Sequence, residues 1–266
     1  MTASQKPSML WKPVTSGEEL FLKIHESTGG ALRLESDIDP DFESLISATD
    51  FADFVKLAAT VEVFSRCVRD ARRYLEVDES ASSAAISKEL RTKVALPMRL
   101  WHDQRFGELA RLVGLSAIRK QRDKGVERAA IAAVAAVCYM CGASLDRKKG
   151  RANTYTIEHI WPISYGGDTI EENLLPACAD CNSKRGSMLS WVAGPVISTY
   201  LHVNEKIPNA LKLSLGLARM LHFAVSGQKP KTLKDAALAC QPLMVDLKLE
   251  PDRHHLYFEL LPRARA

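Results

Sequence analysis

Residues 138–185 read CYMCGASLDRKKGRANTYTIEHIWPISYGGDTIEENLLPACADCNSKR, and a Cys-x-x-Cys pair lies near each end of this stretch. A Cys-x-x-Cys turn presents two sulfurs to one ion, and two such turns complete the tetrahedral coordination that zinc prefers. The sequence therefore predicts a structural zinc site formed by Cys138, Cys141, Cys178 and Cys181. A closed site of this kind leaves no open position for a substrate. Any chemistry must come from the residues between the pairs.

The segment between the two cysteine pairs is longer than in a simple zinc ribbon. It has 36 residues between Cys141 and Cys178, against about 15 to 20 in a ribbon. The segment contains the strand-like run NTYTIEHI, a Gly-Gly turn and a second apolar run, and CADCNSKRGSML then has helical character. We expect two antiparallel strands followed by a helix, with the zinc site at their base.

The order of polar residues in this unit resembles the HNH endonuclease family and its ββα-metal fold. The resemblance rests on a set of residues in a fixed order: Glu158-His159, Pro162, Gly166-Gly167, Asn173-Leu174, Cys178 to Cys181, Asn182 and Lys184. Asn173 follows His159 by 14 residues and Asn182 follows it by 23, as in the variant of the motif that ends in Asn rather than His. The resemblance implies an enzyme that hydrolyses phosphodiester bonds with one divalent cation, leaving a 5′ phosphate and a 3′ hydroxyl.

The resemblance also implies a role for each residue of the motif. His159 would be the general base, because a neutral imidazole can remove a proton from water near neutral pH. Glu158 and Asn182 would bind Mg²⁺ or Mn²⁺, which suit oxygen ligands, and Asn173 would pin the loop and orient His159. Neighbouring residues on a strand face opposite sides, so Glu158 and His159 can both serve only if the strand ends or twists there.

Two residues depart from the commonest form of the motif. Glu158 stands where Asp is more frequent, and its extra methylene displaces the carboxylate unless the strand shifts. Asn182 replaces a histidine ligand, which favours a hard ion such as Mg²⁺ at the catalytic site. Neither departure indicates an inactive enzyme.

A different interpretation stays open for the same residues. Glu158 and His159 could be a surface dipeptide on a zinc knuckle, with Asn173 and Asn182 as turn and cap residues. The protein would then be a zinc-stabilised module that binds nucleic acid or protein without hydrolysis. Dependence on an added divalent cation distinguishes the two interpretations, because only the nuclease needs a second, exchangeable metal.

Basic side chains near the motif are candidates for contacts with DNA phosphates, which would position the duplex without reading its sequence. The candidates are Lys184, Arg185, Lys148, Lys149 and Arg151. Residues 138–190 carry six basic and six acidic side chains, so this unit is formally neutral. We therefore expect the helical flanks to contribute to DNA binding, and the first candidate is 99–128, with eight basic and four acidic residues. RNA is an alternative substrate.

Outside this unit, apolar residues recur mainly at helical spacing. The predicted fold class is α+β, with mostly helical flanks around a small zinc-stapled ββα-metal unit. We divide the 266 residues into a mainly helical region 1–126, an HNH nuclease domain 127–190 and a mainly helical region 191–266. The flanks are candidates for docking a targeting or regulatory protein, and phage defence or restriction is the biological setting that we hypothesise.

Composition indicates a soluble protein with an ordinary core, since 46% of the residues are hydrophobic. The formal net charge of +4 is only a weak sign of an acidic partner. The first residues lack the apolar segment of a signal peptide, and no apolar run is long enough to cross a membrane. We expect a cytoplasmic location, where thiols stay reduced. Cys67 and Cys240 lie in apolar helical surroundings and are expected to be buried, inert thiols.

Overall fold

The computed structural model describes residues 10–28, 48–78, 80, 82–93, 106–118, 122–133, 136–148, 150–187, 189, 209–225 and 231–244. Within these ranges the chain forms eight α-helices and one two-stranded sheet. The predicted α+β class, with helical flanks around a small two-stranded unit, is confirmed. The elements in chain order are α1 (Ser16–Thr28), α2 (Ala48–Val77), α3 (Ser83–Lys93), α4 (Phe106–Ala117), α5 (Lys124–Ala133), β1 (Tyr155–His159), β2 (Leu174–Cys178), α6 (Ala179–Arg185), α7 (Asn209–Val225) and α8 (Leu233–Ala239).

Strands β1 and β2 form the antiparallel hairpin that the sequence predicts. Tyr155 pairs with Cys178 at the open end, and His159 pairs with Leu174 at the loop end. Helix α6 follows β2 directly, because Cys178 is its N-cap and accepts a hydrogen bond on Sγ from the Cys181 amide at 3.4 Å. The second cysteine pair therefore fixes the start of the helix as well as two ligands of the predicted zinc site.

The loop between the two strands contains two short 3₁₀ turns, Ile163–Tyr165 and Glu171–Asn173. Gly166 ends the first turn with φ of 86°, a left-handed conformation that glycine adopts without strain. A Cβ atom on Gly166 would lie 2.7 Å from Cβ of Ser116 in α4. The loop therefore touches the N-terminal helices with its backbone, at a distance that only glycine allows.

Helices α1 to α4 pack together into one helical layer. Helix α1 contacts α2 and α4, and α4 also contacts α2 and α3. Helix α4 is apolar along the face that these contacts cover, and its buried residues include Phe106, Leu109, Leu112 and Val113. This spacing of three and four residues is typical of a helix with one face in a core.

Trp161, in the interstrand loop, joins the hairpin and its zinc-binding base to this helical layer. Its ring centroid lies 6.2 Å from that of Trp11, 5.5 Å from that of Phe21 and 5.6 Å from that of Phe64. The indole is fully buried, and its nitrogen donates a hydrogen bond to the Tyr165 carbonyl at 2.8 Å. Burial of four aromatic side chains makes this cluster a major contribution to the core.

The C-terminal helices cover the first cysteine pair. The backbone amides of Leu243 and Met244 donate hydrogen bonds to the carbonyls of Tyr139, at 3.1 Å, and Met140, at 2.7 Å. Helix α7 contacts both α8 and α6. One hydrophobic cluster consequently runs from Trp11 to Leu243. The division at 126 and 190 stays a prediction, and the described parts of all three segments share this core.

None of the described helices combines the length and the hydropathy that a membrane-spanning helix requires.

Replacing Gly17 tests how tightly α1 is docked on the interstrand loop. Its amide donates a hydrogen bond to the Gly166 carbonyl at 3.2 Å, and a Cβ atom there would overlap the Tyr165 carbonyl oxygen and the indole nitrogen of Trp161. We expect Gly17→Ala to lower the free energy of unfolding by about 3 kcal/mol in urea denaturation. Gly107→Ala is the control, because a Cβ atom there meets nothing within 4 Å. Equal stability of the two variants would contradict this account of the docking.

Candidate active site and metal centre

The four predicted zinc ligands meet at the base of the hairpin. Their sulfur atoms all lie within 4.8 Å of one another, and those of Cys141 and Cys178 are 3.9 Å apart. Four sulfurs placed tetrahedrally about 2.3 Å from one zinc ion stand about 3.8 Å apart. The cluster therefore has the size that a zinc ion requires. Cys138, Cys178 and Cys181 are buried, and Cys141 is partly exposed.

The cysteine thiols of the cluster differ in pKa, because of hydrogen bonds between them and because of burial. The Cys181 thiol lowers the pKa of Cys138 to about 4 by hydrogen bonding to its sulfur, and the same contact raises the pKa of Cys181. Burial raises the pKa of Cys141 to about 11. Cys141 and Cys181 therefore release their protons readily only when a cation compensates the added charge, which is what a zinc ion does.

The first cysteine pair lies on a tight turn that is held against β2. The Gly142 amide donates a hydrogen bond to the Cys138 carbonyl at 2.9 Å, and the Tyr139 amide donates one to the Pro176 carbonyl at 3.1 Å. Gly142 completes the turn in a left-handed conformation, with φ of 76°. The turn and the start of α6 thus bring the two cysteine pairs to the same point at the end of β2.

Glu158 lies in the interior of the protein, with only 5% of its surface exposed. Its carboxylate forms an ion pair with Arg185 of α6, whose side chain is fully buried. The Arg185 guanidinium also donates hydrogen bonds to the carbonyls of His159, at 2.7 Å, and Ile160. Burial raises the pKa of Glu158, and the positive charge of Arg185 opposes this increase.

The prediction that Arg185 contacts DNA phosphate is wrong, because this side chain has no exposed surface. Arg185 follows Cys181 by four residues and so lies on the same face of α6. Cys181 must point inward to reach the other sulfurs, and Arg185 consequently points inward too. Its guanidinium stabilises the contact between α6 and the end of β1.

His159 is the last residue of β1, and alternation along the strand places its side chain on the side opposite Glu158. Because the strand ends at this residue, the condition under which Glu158 and His159 can both serve is met. Its Nε2 lies 3.0 Å from the Thr169 hydroxyl in the interstrand loop, and Nδ1 has no hydrogen-bond partner within the described part of the chain. Burial lowers the pKa of His159 to about 4, aided by the charges of Arg122 and Arg185 and opposed by Glu127. The imidazole is therefore neutral at physiological pH.

Asn173 closes the interstrand loop with its side-chain amide. Its Oδ1 accepts a hydrogen bond from the Trp161 amide at 2.7 Å, and its Nδ2 donates to the carbonyls of Trp161, at 3.1 Å, and Asp168, at 2.9 Å. Its own carbonyl accepts from the Ile160 amide at 2.9 Å. Asn173 is 1% exposed. Asn173 therefore holds the loop that follows His159, and its predicted role in orienting His159 stays a prediction.

Asn182 connects α6 to β1 on the face of the strand that carries Glu158. Its Nδ2 donates hydrogen bonds to Thr156 Oγ1 at 3.0 Å and to the Ile157 carbonyl at 3.3 Å. Among the described residues, its Oδ1 accepts no hydrogen bond, and neither does the second carboxylate oxygen of Glu158. These two oxygens are the type of donor that Mg²⁺ and Mn²⁺ prefer.

Of the other basic candidates, three have exposed side chains and one lies outside the described residues. Lys184 is exposed and forms an ion pair with Asp180 at 2.7 Å. Arg151 is exposed and pairs with Asp146 at 3.0 Å, and Lys148 is exposed in the same loop. Lys149 lies outside the described residues. The phosphate contacts of these lysines and of Arg151 stay predictions.

Thr169 and Arg122 belong to the surroundings of the site, although no pattern in the sequence indicates them. Thr169 lies in DTIEEN, a polar stretch without a recognisable motif, and it contacts His159 only because the loop folds back over ten residues. Arg122 precedes Cys138 by 16 residues. The eight-to-four charge excess in 99–128 is the one signal that directs attention to its neighbourhood.

Removing one cysteine of the cluster tests the zinc centre. We expect the purified protein to contain one zinc ion per chain, and Cys181→Ser to lose it. The variant should lose about 4 kcal/mol or more of stability, and its melting temperature should fall by about 10 °C. The measurements are metal analysis and thermal unfolding. Cys67→Ala is the control, because Cys67 is buried away from the cluster, and a zinc-free Cys67→Ala or a zinc-loaded Cys181→Ser would contradict the assignment.

The comparison with known protein families agrees with this geometry. A family model described as HNH endonuclease matches residues 138–188, a range that contains the four cysteines, the Glu158-His159 pair and both asparagines. No curated protein and no solved structure matches the chain. A domain of this kind indicates a nuclease function or another function on nucleic acid. Residues 138–188 are therefore a domain of the HNH endonuclease family, with four cysteines that can bind zinc.

Proposed function

We propose that this protein is a metal-dependent endonuclease that hydrolyses DNA phosphodiester bonds to 5′-phosphate and 3′-hydroxyl ends. The observation that carries the proposal is the state of His159. It is a neutral imidazole at a strand end with one nitrogen held by Thr169 and the other uncommitted. The family match of residues 138–188 supplies the chemistry to which such a base belongs.

His159 acts as the general base of the proposed reaction. Because Nε2 is engaged by the Thr169 hydroxyl, Nδ1 is the atom that accepts the proton from the attacking water. Because its pKa is low, the imidazole is already neutral at physiological pH and can accept a proton without first losing one. Asn173 supports this step without touching substrate, since it holds the backbone of the loop that carries Thr169.

Glu158 and Asn182 would hold the catalytic cation, Mg²⁺ or Mn²⁺, through their uncommitted oxygens. Bound there, the ion would neutralise charge on the scissile phosphate and on the departing 3′ oxygen. Arg185 keeps Glu158 in place through the buried ion pair, and its charge opposes the pKa increase that burial causes. Asn182 donates to β1 through Nδ2 and so turns its oxygen to the other side.

Lys184, Lys148, Lys149 and Arg151 would contact the DNA backbone around the site. Two features of the proposal rest on the helical flanks: a protein partner that targets or regulates the enzyme, and a role in phage defence or restriction. A reducing, cytoplasmic location fits six cysteines that form no disulfide in the described part of the chain.

A second candidate function is supported by the burial of the site. His159 is 7% exposed and Glu158 is 5% exposed, and an enzyme must admit both water and phosphate to such groups. A zinc-stabilised module that binds nucleic acid or protein without hydrolysis needs no such access. The two functions differ in their requirement for a divalent cation.

Cleavage of supercoiled plasmid tests the proposed function. The wild-type protein should produce nicked and linear DNA with Mg²⁺ or Mn²⁺ and none with EDTA. His159→Ala should cut about 10² to 10⁴ times more slowly, the usual contribution of a general base. His25→Ala is the control, since this histidine lies in α1 and should leave the rate unchanged. No cleavage by the wild-type protein with either cation would favour the binding module.

The pH dependence of cleavage tests the state of His159. Its pKa is lowered from 6.5 to about 4, so the reactive neutral form persists when the pH falls below 6.5. We expect kcat to change less than about threefold between about pH 5.5 and 8. An unperturbed histidine would instead lose about tenfold in rate for each pH unit well below 6.5. A decline of that steepness, with zinc still bound, would contradict the assignment.

A further inference from the structure

Arg122 is fixed in position by the start of α5. The Asp123 carboxylate accepts hydrogen bonds from the amides of Gly125, at 2.8 Å, and Val126, at 3.2 Å, and the Asp123 carbonyl accepts one from the Glu127 amide at 3.0 Å. This capping arrangement orders the chain immediately before the helix. The backbone position of Arg122, which immediately precedes the capping residue, is therefore well defined.

Helix α5 packs on the face of the hairpin that carries His159. Val126 and Ala130 belong to one small apolar cluster with Ile157 and Leu174. Ile157 precedes His159 by two residues, and Leu174 is the cross-strand partner of His159. Both apolar residues therefore share a face of the hairpin with the histidine. Arg122 lies four residues before Val126 and outside the matched range 138–188. It is near enough to His159 for its charge to lower the pKa of that histidine.

The guanidinium of Arg122 is held on one edge only. Its Nε donates a hydrogen bond to Glu127 Oε1 at 2.6 Å, and its two terminal nitrogens have no partner within the described part of the chain. The Arg122 side chain is 56% exposed, whereas that of Glu127 is 15% exposed. Glu127 thus anchors the group, and the remaining donors form the planar fork that matches two oxygens of a phosphate.

We propose that Arg122 binds a DNA phosphate next to the scissile bond. This inference rests on the proposed function. Arg185, the arginine that follows the motif, is buried and cannot contact DNA, so we assign the phosphate contact to an arginine outside the motif. The formally neutral nuclease unit would then gain a substrate contact from the segment that precedes it in the chain.

Binding of DNA in the absence of cleavage tests this inference directly. The parent protein is the full chain carrying His159→Ala, and the probe is a fluorescein-labelled DNA duplex, titrated with Mg²⁺ present at several salt concentrations. Arg122→Gln should weaken binding about five- to tenfold at low salt. It should also reduce the slope of log affinity against log salt by about 0.9, the value for one lost phosphate contact.

Arg66→Gln is the matched control for this experiment. Arg66 also pairs through Nε with a glutamate of its own helix, Glu62, at 2.5 Å, and its side chain is 51% exposed. The inference expects Arg66→Gln to bind like the parent. It is overturned if Arg122→Gln also binds like the parent, if both variants weaken binding equally, or if the parent binds no DNA. Thermal unfolding and zinc content confirm that each variant is folded.

Cleavage by proteins that retain His159 separates this inference from the proposed function. If the wild-type protein cuts plasmid, Arg122→Gln should lower kcat/KM at least about tenfold and Arg122→Lys should lower it less, because lysine keeps the charge without the fork. If the wild-type protein does not cut, the proposed function fails, and the binding measurement still decides whether Arg122 contacts phosphate.

Discussion

The buried guanidinium of Arg185 is the interaction on which the geometry of the site depends. It connects α6 to the end of β1 through the Glu158 carboxylate and two backbone carbonyls. A charge in the interior is tolerated only when it is paired and hydrogen-bonded, and loss of one partner of a buried pair costs about 3 to 5 kcal/mol. Because Arg185 holds Glu158 toward α6, the alternation along the strand sends His159 to the other side. The two neighbours in sequence thus acquire different surroundings and different tasks.

Patterns that depend on local chemistry made much of the fold and site predictable. Zinc ligation imposes its own spacing, so Cys138, Cys141, Cys178 and Cys181 could be identified as one cluster before any coordinates were known. The hairpin and the helix after it follow from alternation, a turn and the second cysteine pair. The loop-closing geometry of Asn173 agrees with what the family resemblance implies, because the amide of an asparagine satisfies backbone groups only at a fixed position in a loop.

Other parts of the site were not predictable because they depend on packing between distant segments. A basic residue after the motif is compatible with an exposed phosphate contact and with a buried anchor, and only the inward direction of Cys181 decides that Arg185 is the anchor. The contact of Thr169 with His159 depends on the path of the interstrand loop. Arg122 comes near the base because α5 packs on the hairpin, and such long-range packing leaves no periodic signal in the chain.

The aromatic cluster around Trp161 has a consequence for the unit as a transferable module. A family match over 138–188 invites the view that these residues could be cut out and fused to another protein. Yet Trp161 packs against Trp11, Phe21 and Phe64, and α1 bonds to the loop backbone at Gly166. In an excised segment this indole would be exposed to water, and the interstrand loop would lose its packing against the N-terminal helices. The N-terminal helices are therefore part of the structural unit to which residues 138–188 belong, and the smallest fragment that could be transferred to another protein includes them.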